Sequence, residues 1–356
     1  MTDLLALTAE LVDIASVSHD ERAITDHIEG LLSPVPWLTL TRVGENLVAR
    51  TELGRDHRVV LAGHTDTVPA NGNAGARVDG DVLWGLGSGD MKGGLAVFVE
   101  LARQVGEPAV DVTYVFYECE EVEARFNGIS RLFDERPDLL GDADAAILGE
   151  PTMARVEAGC QGTLRMSFAF HGERAHTARA WLGRNAVHRL GPALRRLEDY
   201  DARRVSIDGC DYREGLQAVW VNGGVAGNVV PDRAELIVNH RFAPDRTAAE
   251  AEAHVRAVIG DADEVAVLDV APGAAPDLDH PLLAGLVARS GAPPRAKLGW
   301  TDVARFAANG IPATNFGPGD PDLAHTAGER VERWAIDAVH GALLGLLTEP
   351  PQLRER

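Results

Sequence analysis

Histidine and carboxylate side chains follow three short apolar runs and a glycine-rich segment in the first half of the chain. They are His64 after residues 59–62, Asp90 after residues 85–89, Glu120 and Glu121 after residues 112–117, and Glu150 after residues 145–148. Imidazole and carboxylate ligands together suit zinc, cobalt or manganese. So many acids in one place also suit two neighbouring cations, because a shared carboxylate can bridge them.

The same region offers residues for roles other than direct ligation. A metal-bound histidine usually donates its other N–H to a carboxylate, and Asp66, two residues after His64, is suited to that position. One acid should remain as the general base for an attacking water. The adjacent Glu120 and Glu121 can provide it, since one side chain can point at the metal and the other at the water.

Each of these signals, taken alone, has an ordinary alternative. A histidine two residues before an aspartate is a weak metal pattern, and glutamate pairs are common on solvated surfaces. Residues 86–94 could be a phosphate loop, but they lack the Gly-Lys-Ser/Thr ending, and Asp90 would repel phosphate. The metal interpretation is favoured because all the signals occur together.

Alternating strand and helix patterns must position these side chains. The apolar runs are typical of buried parallel strands, and helical spacing of apolar residues is found in residues 4–14 and 93–101. Ser18 and Glu21 resemble a capping box before a further helix. The alternation predicts an open α/β sheet covered on both faces, in which ligands bind beyond the carboxyl ends of the strands.

A different pattern begins near Gly162. Residues 163–270 read as strand, helix, two strands, helix and strand, which is the ferredoxin-like order β-α-β-β-α-β. Residues 272–276 are suited to an exit linker, after which the α/β pattern resumes and ends in an amphipathic helix. We therefore predict an inserted domain of residues 162–276 within a catalytic α/β domain of residues 1–161 and 277–356.

Composition excludes several classes of function. The 356 residues suit two domains, and a net charge of −20, from 54 acidic and 34 basic residues, disfavours nucleic acid as a partner. No segment approaches the roughly 20 apolar residues that cross a bilayer. The N-terminus lacks the basic region of a secretory signal. Three cysteines without Cys-x-x-Cys spacing disfavour a disulfide framework and fit a reducing cytoplasm.

Five stretches, in this order, resemble the motifs of the zinc aminoacylase and carboxypeptidase family. They are GHTDTVP (63–69), GLGSGDMKGG (85–94), YECEE (117–121), GEP (149–151) and AHTAGERV (324–331). The resemblance covers nearly the whole chain. It implies a metallopeptidase-type catalytic domain, an inserted lid or dimerisation domain, and a homodimer formed through that inserted domain.

The resemblance also implies a role for each residue of the predicted metal site. Glu120 would be the general base that later protonates the leaving amine, and Asp66 would orient His64. A cis peptide bond would join Asp90 to Met91. The implied ligands of two zinc ions, or alternatively cobalt ions, are His64 and Glu150 for one, Glu121 and His325 for the other, and Asp90 as the bridge.

Three residues of the inserted segment resemble residues that the family uses to hold its substrate. His176 corresponds to a histidine that stabilises the tetrahedral oxyanion, often across a dimer. Asn228 and Arg241 correspond to polar residues that contact substrate. Both could instead be ordinary turn and strand-end residues.

Arginines are the residues suited to a substrate that ends in carboxylates. Arg179, Arg184, Arg241 and Arg305 are the candidates. The segment around Thr301, residues 299–306, resembles the family segment Gly-Thr-Ser-Asp-Gly-Arg-Phe. It differs by Trp300 and by one extra residue before Arg305, which leaves the register of that arginine open.

The expected activity is therefore hydrolysis of a small N-acyl amino acid. The resemblance favours N-succinyl-LL-2,6-diaminopimelate, an intermediate of lysine and diaminopimelate biosynthesis, with water giving succinate and the free diamino acid. Acetylornithine, another N-acylated amino acid or a short peptide are alternative substrates. A non-catalytic metal-binding scaffold is the remaining alternative, which the complete ligand set and Glu120 disfavour.

Overall fold

A computed structural model describes residues 2–349, which fall into two compact units. The larger unit comprises residues 2–159, 276–295 and 302–349, and the smaller comprises residues 160–275 and 296–301. The sequence assigned residues 296–301 to the larger unit, but the structure groups them with the smaller one. There the backbone N–H of Gln161 donates to the carbonyl of Lys297 at 3.2 Å.

Helices and strands are numbered along the chain. The α-helices are α1 Leu4–Val12, α2 Arg22–Leu32, α3 Gly93–Gln104, α4 Gly128–Glu135, α5 Ala186–Glu198, α6 Ala248–Ile259, α7 Pro281–Ser290, α8 Val303–Ala308 and α9 Arg333–Thr348. The strands are β1 Thr39–Val43, β2 Asn46–Arg50, β3 Arg58–His64, β4 Arg77–Asp79, β5 Val82–Trp84, β6 Asp111–Tyr117, β7 Ala145–Leu148, β8 Glu157–Ala158, β9 Gly162–His171, β10 Arg204–Ile207, β11 Cys210–Arg213, β12 Gly215–Gly223, β13 Arg233–Phe242, β14 Glu264–Ala271, β15 Arg295–Ala296, β16 Ala313–Asn315 and β17 Arg330–Glu332.

The main sheet of the larger unit confirms the predicted open α/β architecture. Its strand order is β1-β2-β6-β3-β7-β16-β8-β15, and β3 pairs in parallel with β6 and β7. Side chains alternate between the two faces of a strand. Val59 and Leu61 join a core with α1, α2, α3, α7 and α9, whereas Val60 and Ala62 are buried on the opposite face. This two-sided burial explains why these strands appear as continuous apolar runs.

A glycine brings α3 close to the carboxyl end of β7. A Cβ added to Gly94 would lie 2.5 Å from the carbonyl oxygen of Gly149, a distance that no side chain tolerates. The absence of a side chain at Gly94 therefore lets the first turn of α3 pack directly against the end of β7. This contact places the glycine-rich segment before α3 beside the strand that precedes Glu150.

The smaller unit has the predicted ferredoxin-like order. Its antiparallel sheet runs β12-β13-β9-β14, and α5 and α6 pack on one face in a common core. The hairpin of β10 and β11 was not predicted. Its turn residues, Asp208 and Gly209, both have positive φ, at 48° and 77°. An Asp-Gly pair between short strands is a hairpin signal that could have revealed it.

The capping box predicted from Ser18 and Glu21 is wrong. Glu21 caps no amide of α2 with its side chain. Both side chains instead contact loops far away in the sequence, since the Ser18 hydroxyl donates to Asp66 and the Glu21 carboxylate accepts from Cys119. Within residues 2–349, no helix is both long and apolar enough to cross a bilayer.

Candidate metal centre

Parallel strands of the larger unit end beside one another and present the predicted ligands. The register pairs His64 with Tyr117 and Ala62 with Leu148, so the carboxyl ends of β3, β6 and β7 are nearly level. The side chains placed there are those of His64, the last residue of β3, of Glu120 and Glu121 after β6, and of Glu150 after β7.

Three overlapping groups of ligand atoms form at this edge among the described residues, and one of them joins His64 with Glu120 and Glu121. In the other two groups, atoms of His64, Asp90 and Glu150 lie within 4.8 Å of one another, and so do atoms of Asp90, Glu121 and His325. Asp90 belongs to both of these two groups. Its Oδ1 lies 3.1 Å from Nε2 of His64, and its Oδ2 lies 3.7 Å from Nε2 of His325. Two oxygens of one carboxylate that face different histidines are suited to bridge two ions.

Hydrogen bonds determine which nitrogen of His64 faces Asp90. The Nδ1–H donates to the backbone carbonyl of Asp66 at 3.0 Å, whereas the Asp66 carboxylate is 3.5 Å away. This leaves Nε2 directed at Asp90, an arrangement that metal-binding histidines commonly use. Burial disfavours the charged ring, but the Asp66 and Asp90 carboxylates outweigh it and hold the pKa of His64 well above its ordinary value.

The carboxylate of Asp66 positions the loop that follows β6. It accepts the backbone N–H of Glu120 at 3.0 Å and that of Glu121 at 3.1 Å, and also the Ser18 hydroxyl at 2.7 Å. Burial raises the pKa of Asp66, but the contact with His64 and these hydrogen bonds lower it below its ordinary value. Asp66 thus contacts both adjacent acids as well as the histidine.

Glu21 supports the same loop, a role that sequence reasoning missed. One of its carboxylate oxygens accepts the backbone N–H of Cys119 at 3.1 Å and that of His19 at 3.0 Å. Cys119 has φ of 57°, in the left-handed region that favours glycine. The Glu21 carboxylate stabilises this unusual backbone conformation immediately before Glu120.

Glu329 is a second residue that sequence reasoning missed. Its buried carboxylate accepts the backbone N–H of Gly89 at 3.0 Å and that of Asp90 at 3.1 Å. The Asp90–Met91 peptide bond is cis, as the resemblance implied. Glu329 therefore fixes the backbone from which Asp90 reaches the two groups that contain it. Its place in the AHTAGERV stretch, four residues after His325, was the available signal.

The ionisable groups of this centre are crowded, and their pKa values reflect it. Removal from water and the charge of Glu150 raise the pKa of Glu120 well above its ordinary value, despite the opposite effect of His64. The hydrogen bond with Glu121 raises the pKa of His325 to about 9. Divalent cations would neutralise such a set of acids, and they accept both imidazole and carboxylate ligands. The residues present therefore fit a metal site.

The predicted substrate residues lie mostly in the smaller unit. His176 precedes the helical turn Thr177–Leu182, and its Nδ1 accepts the backbone N–H of Ala178 at 3.0 Å. The carbonyl of Asn228 accepts the backbone N–H of Thr177 at 3.0 Å, which places Asn228 close to His176. Both side chains are exposed.

The remaining predicted substrate residues are dispersed. Those of the smaller unit are Arg179, exposed on the same turn as His176, Arg241 near the end of β13, and Thr301, which is buried. Arg305 lies on α8 of the larger unit. Its guanidinium donates to Asp302 at 2.5 Å and to the Ser130 hydroxyl at 2.6 Å.

Comparison with known proteins finds close relatives over nearly the whole chain. Residues 60–349 match the model of Peptidase family M20/M25/M40. A *Corynebacterium glutamicum* succinyl-diaminopimelate desuccinylase is 45% identical over 357 residues, covering 98% of this chain and 96% of its own. A *Mycobacterium tuberculosis* protein, provisionally named succinyl-diaminopimelate desuccinylase DapE, is 53% identical over 331 residues, covering 92% of this chain and 93% of its own.

Solved structures share the fold at lower identity. A *Staphylococcus aureus* tripeptidase has a TM-score of 0.79 at 20% identity and covers 97% of both chains. A *Bacillus subtilis* dinuclear metal binding peptidase from the M20 family has a TM-score of 0.67 at 16% identity, covering 97% of this chain and 96% of its own. The family match and the two close relatives show that this chain belongs to Peptidase family M20/M25/M40.

Proposed function

We propose that this chain is a succinyl-diaminopimelate desuccinylase that acts in the cytoplasm. It hydrolyses the amide of N-succinyl-LL-2,6-diaminopimelate to succinate and LL-2,6-diaminopimelate, within lysine and diaminopimelate biosynthesis. The names of the relatives at 45% and 53% identity support this substrate. The observation that carries the chemistry is the pair of ligand groups that share Asp90.

The proposed centre holds two divalent ions, zinc or cobalt. The ligand groups support His64 and Glu150 as ligands of one ion, Glu121 and His325 as ligands of the other, and Asp90 as the bridge. The name of the *Bacillus subtilis* relative, a dinuclear metal binding peptidase, also supports two ions. When bound, two such ions polarise a carbonyl oxygen and lower the pKa of a water molecule towards about 7.

Glu120 is the proposed general base and, later in the reaction, the general acid. Its backbone is held by Asp66, and one of its carboxylate oxygens lies within 4.8 Å of ligand atoms of His64 and Glu121. From this position Glu120 takes the proton of the attacking water, holds it on a carboxylate oxygen, and delivers it to the leaving amine nitrogen. His176 is the proposed N–H donor to the oxyanion.

Recognition of the substrate is proposed to use arginine and polar side chains. A guanidinium matches the two oxygens of a carboxylate, and Arg179 and Arg241 are suited to the carboxylates of the substrate. Asn228 and Thr301 would supply neutral hydrogen bonds. Arg305 would first have to release Asp302 and Ser130, so it is the least available of the proposed substrate residues.

The active form is proposed to be a homodimer joined through the smaller unit. Exposed apolar side chains on β12 support this assignment, since Val219, Trp220 and Val221 are 54%, 44% and 47% exposed. Because β12 is an edge strand of its sheet, its exposed apolar side chains are suited to an interface. Sedimentation of the purified chain at several concentrations tests the oligomeric state.

Steady-state hydrolysis by the zinc-loaded chain tests the proposed substrate. We expect kcat/KM for N-succinyl-LL-2,6-diaminopimelate to exceed that for N-acetylornithine by at least about 100-fold, because the buried polar groups of a site that binds a second carboxylate are left unpaired by the shorter acyl group. A higher kcat/KM for N-acetylornithine or a tripeptide would contradict the proposed substrate but would agree with the proposed metal-dependent hydrolysis. A metal-loaded chain that hydrolyses none of them would contradict the function.

A further inference from the structure

The smaller unit contains a separate group of metal-ligand side chains. Glu214, His240 and His254 each place one ligand atom within 4.8 Å of those of the other two. Glu214 lies between β11 and β12, His240 on β13 and His254 on α6. A strand, a helix and the connection between β11 and β12 thus place their side chains at one point. The rings of His240 and His254 have their centroids 5.3 Å apart.

One nitrogen of His240 is directed into this group. Its Nδ1–H donates to the carbonyl of Gly215 at 3.0 Å, which fixes the ring. The other nitrogen, Nε2, is buried and has no hydrogen-bond partner among residues 2–349. A histidine whose Nδ1–H is bonded to a backbone carbonyl, with Nε2 available, has the usual arrangement of a metal ligand.

Glu214 presents one oxygen in the same way. Its Oε1 accepts from Arg246 at 2.7 Å, from Arg203 at 3.2 Å and from the backbone N–H of Ala243 at 3.2 Å. Its Oε2 is buried and, in the described part of the chain, has no hydrogen-bond partner. Because Oε1 alone satisfies the neighbouring donors, Oε2 remains as a fixed ligand atom.

His254 completes the group from the helix side. Its ring is held by the hydroxyl of Tyr200, which lies 2.9 Å from Nε2. Burial lowers the pKa of both His240 and His254 below the ordinary value. Neutral imidazole is the form that binds a metal ion.

We propose that Glu214, His240 and His254 bind one divalent transition-metal ion, with zinc as the best fit. Two imidazoles and one carboxylate form a ligand set that zinc accepts, with water as the fourth ligand. His254 is half-buried, whereas Glu214 and His240 are buried. Ligand atoms around tetrahedral zinc lie about 3.4 Å apart, so ligand atoms that are farther apart than this move inward when zinc binds.

The charges around this site indicate a structural ion of modest affinity. The guanidiniums of Arg203 and Arg246 are balanced by Glu214 and Asp245, since Asp245 pairs with Arg203. This neutral environment attracts a cation less strongly than the crowded acids of the metal centre do. A bound ion would cross-link β13, α6 and the connection before β12, and would therefore stabilise the smaller unit.

Zinc binding by the untagged, full-length chain tests this proposal. Equilibrium dialysis at a fixed free zinc concentration should show one zinc per chain fewer in His254→Gln than in the native chain. His188→Gln, which changes an exposed histidine on α5 of the same unit, should bind as much zinc as the native chain. Equal zinc in the native chain and His254→Gln would overturn the proposal.

Cobalt spectroscopy provides the independent readout. The absorption difference between the cobalt-loaded native chain and His254→Gln should contain the bands of one four-coordinate ion. A difference spectrum without such bands would contradict the proposal. Retained amide hydrolysis by His254→Gln establishes that the variant is folded, because His254 is not part of the proposed catalytic machinery.

Discussion

Two groups of histidine and carboxylate side chains in this molecule differ in how their charge is balanced. At the strand ends of the larger unit, Asp90, Glu121 and Glu150 lie with two histidines, and Glu120 lies beside them. In the smaller unit a single carboxylate, Glu214, already pairs with two guanidiniums. Both groups present ligand atoms at comparable distances, so distance alone does not distinguish them.

The two groups therefore differ in their need for a metal ion. Burial and the charge of Glu150 raise the pKa of Glu120, and nearby cations would offset this effect. The charge of the carboxylate in the smaller unit is already balanced by arginines, which contact it through Oε1. We therefore expect metal to be essential to the chemistry in the larger unit and to contribute only stability in the smaller unit.

Metal removal should produce the largest contrast between the two groups. Chelation of the purified chain should abolish hydrolysis of N-succinyl-LL-2,6-diaminopimelate, because water and carbonyl then lack their Lewis acid. Added zinc or cobalt should restore the rate. His254→Gln, loaded with zinc, should hydrolyse at the native rate. Full activity of the chelated chain, after elemental analysis has shown that its metal is removed, would contradict the catalytic role of the metal-ligand group in the larger unit.

Glu120→Gln should reduce kcat by about 1,000- to 10,000-fold, because the amide cannot accept the proton of the attacking water. The metal content should remain that of the native chain, since Glu120 is proposed as a base and not as a ligand. Single-turnover rates and elemental analysis measure both quantities. Glu123→Gln, an exposed neighbour, is the control. A Glu120→Gln chain that turns over at the native rate would remove Glu120 from the mechanism.

Glu329→Gln should reduce metal affinity or kcat by roughly 10- to 100-fold, as losses of hydrogen-bonding partners behind metal ligands typically do. One carboxylate oxygen accepts the N–H groups of both Gly89 and Asp90, and the neutral amide oxygen of a glutamine accepts these hydrogen bonds more weakly than a charged carboxylate does. Metal titration with an activity readout measures the change. Glu332→Gln, three residues away, should behave as the native chain. If the two variants behave alike, Glu329 does not position Asp90.

The smallest effect is expected from Thr247→Ala in the smaller unit. Thr247 and Glu250 form a capping box at the start of α6, the helix that carries His254. Loss of the capping box should lower the free energy required to unfold α6 locally by about 1 kcal/mol. Hydrogen exchange of the α6 amides measures this, with Ser206→Ala on exposed β10 as the control. Unchanged exchange would show that the capping box does not stabilise the helix.

The fold was largely predictable from the sequence because its patterns are local. Buried parallel strands appear as apolar runs, and the strand predicted over residues 145–148 is the observed β7. The β-α-β-β-α-β order of the smaller unit was predicted for the same reason, although its β10–β11 hairpin was not. Their positions after parallel strands also led us to expect His64, Glu121 and Glu150 to lie close together, since parallel strands end at one edge, whereas His325 was implied only by the family resemblance.

The supporting contacts were not predictable, because they join residues far apart in the chain. Ser18 and Glu21 have the spacing of a capping box, yet their partners Asp66 and Cys119 lie about fifty and a hundred residues away, at separations of 48 and 98. Glu214, His240 and His254 form no motif, because their proximity depends on the pairing of β12 with β13 and on the packing of α6. Only the tertiary structure reveals such groups.

Anomalous diffraction from crystals of the zinc-loaded chain tests the central claim most directly. We expect two zinc peaks at the strand ends of the larger unit, with Asp90 bridging them, His64 and Glu150 on one ion, and Glu121 and His325 on the other. A single peak without Asp90 as a ligand, or zinc bound only at other residues, would contradict the proposed two-metal centre.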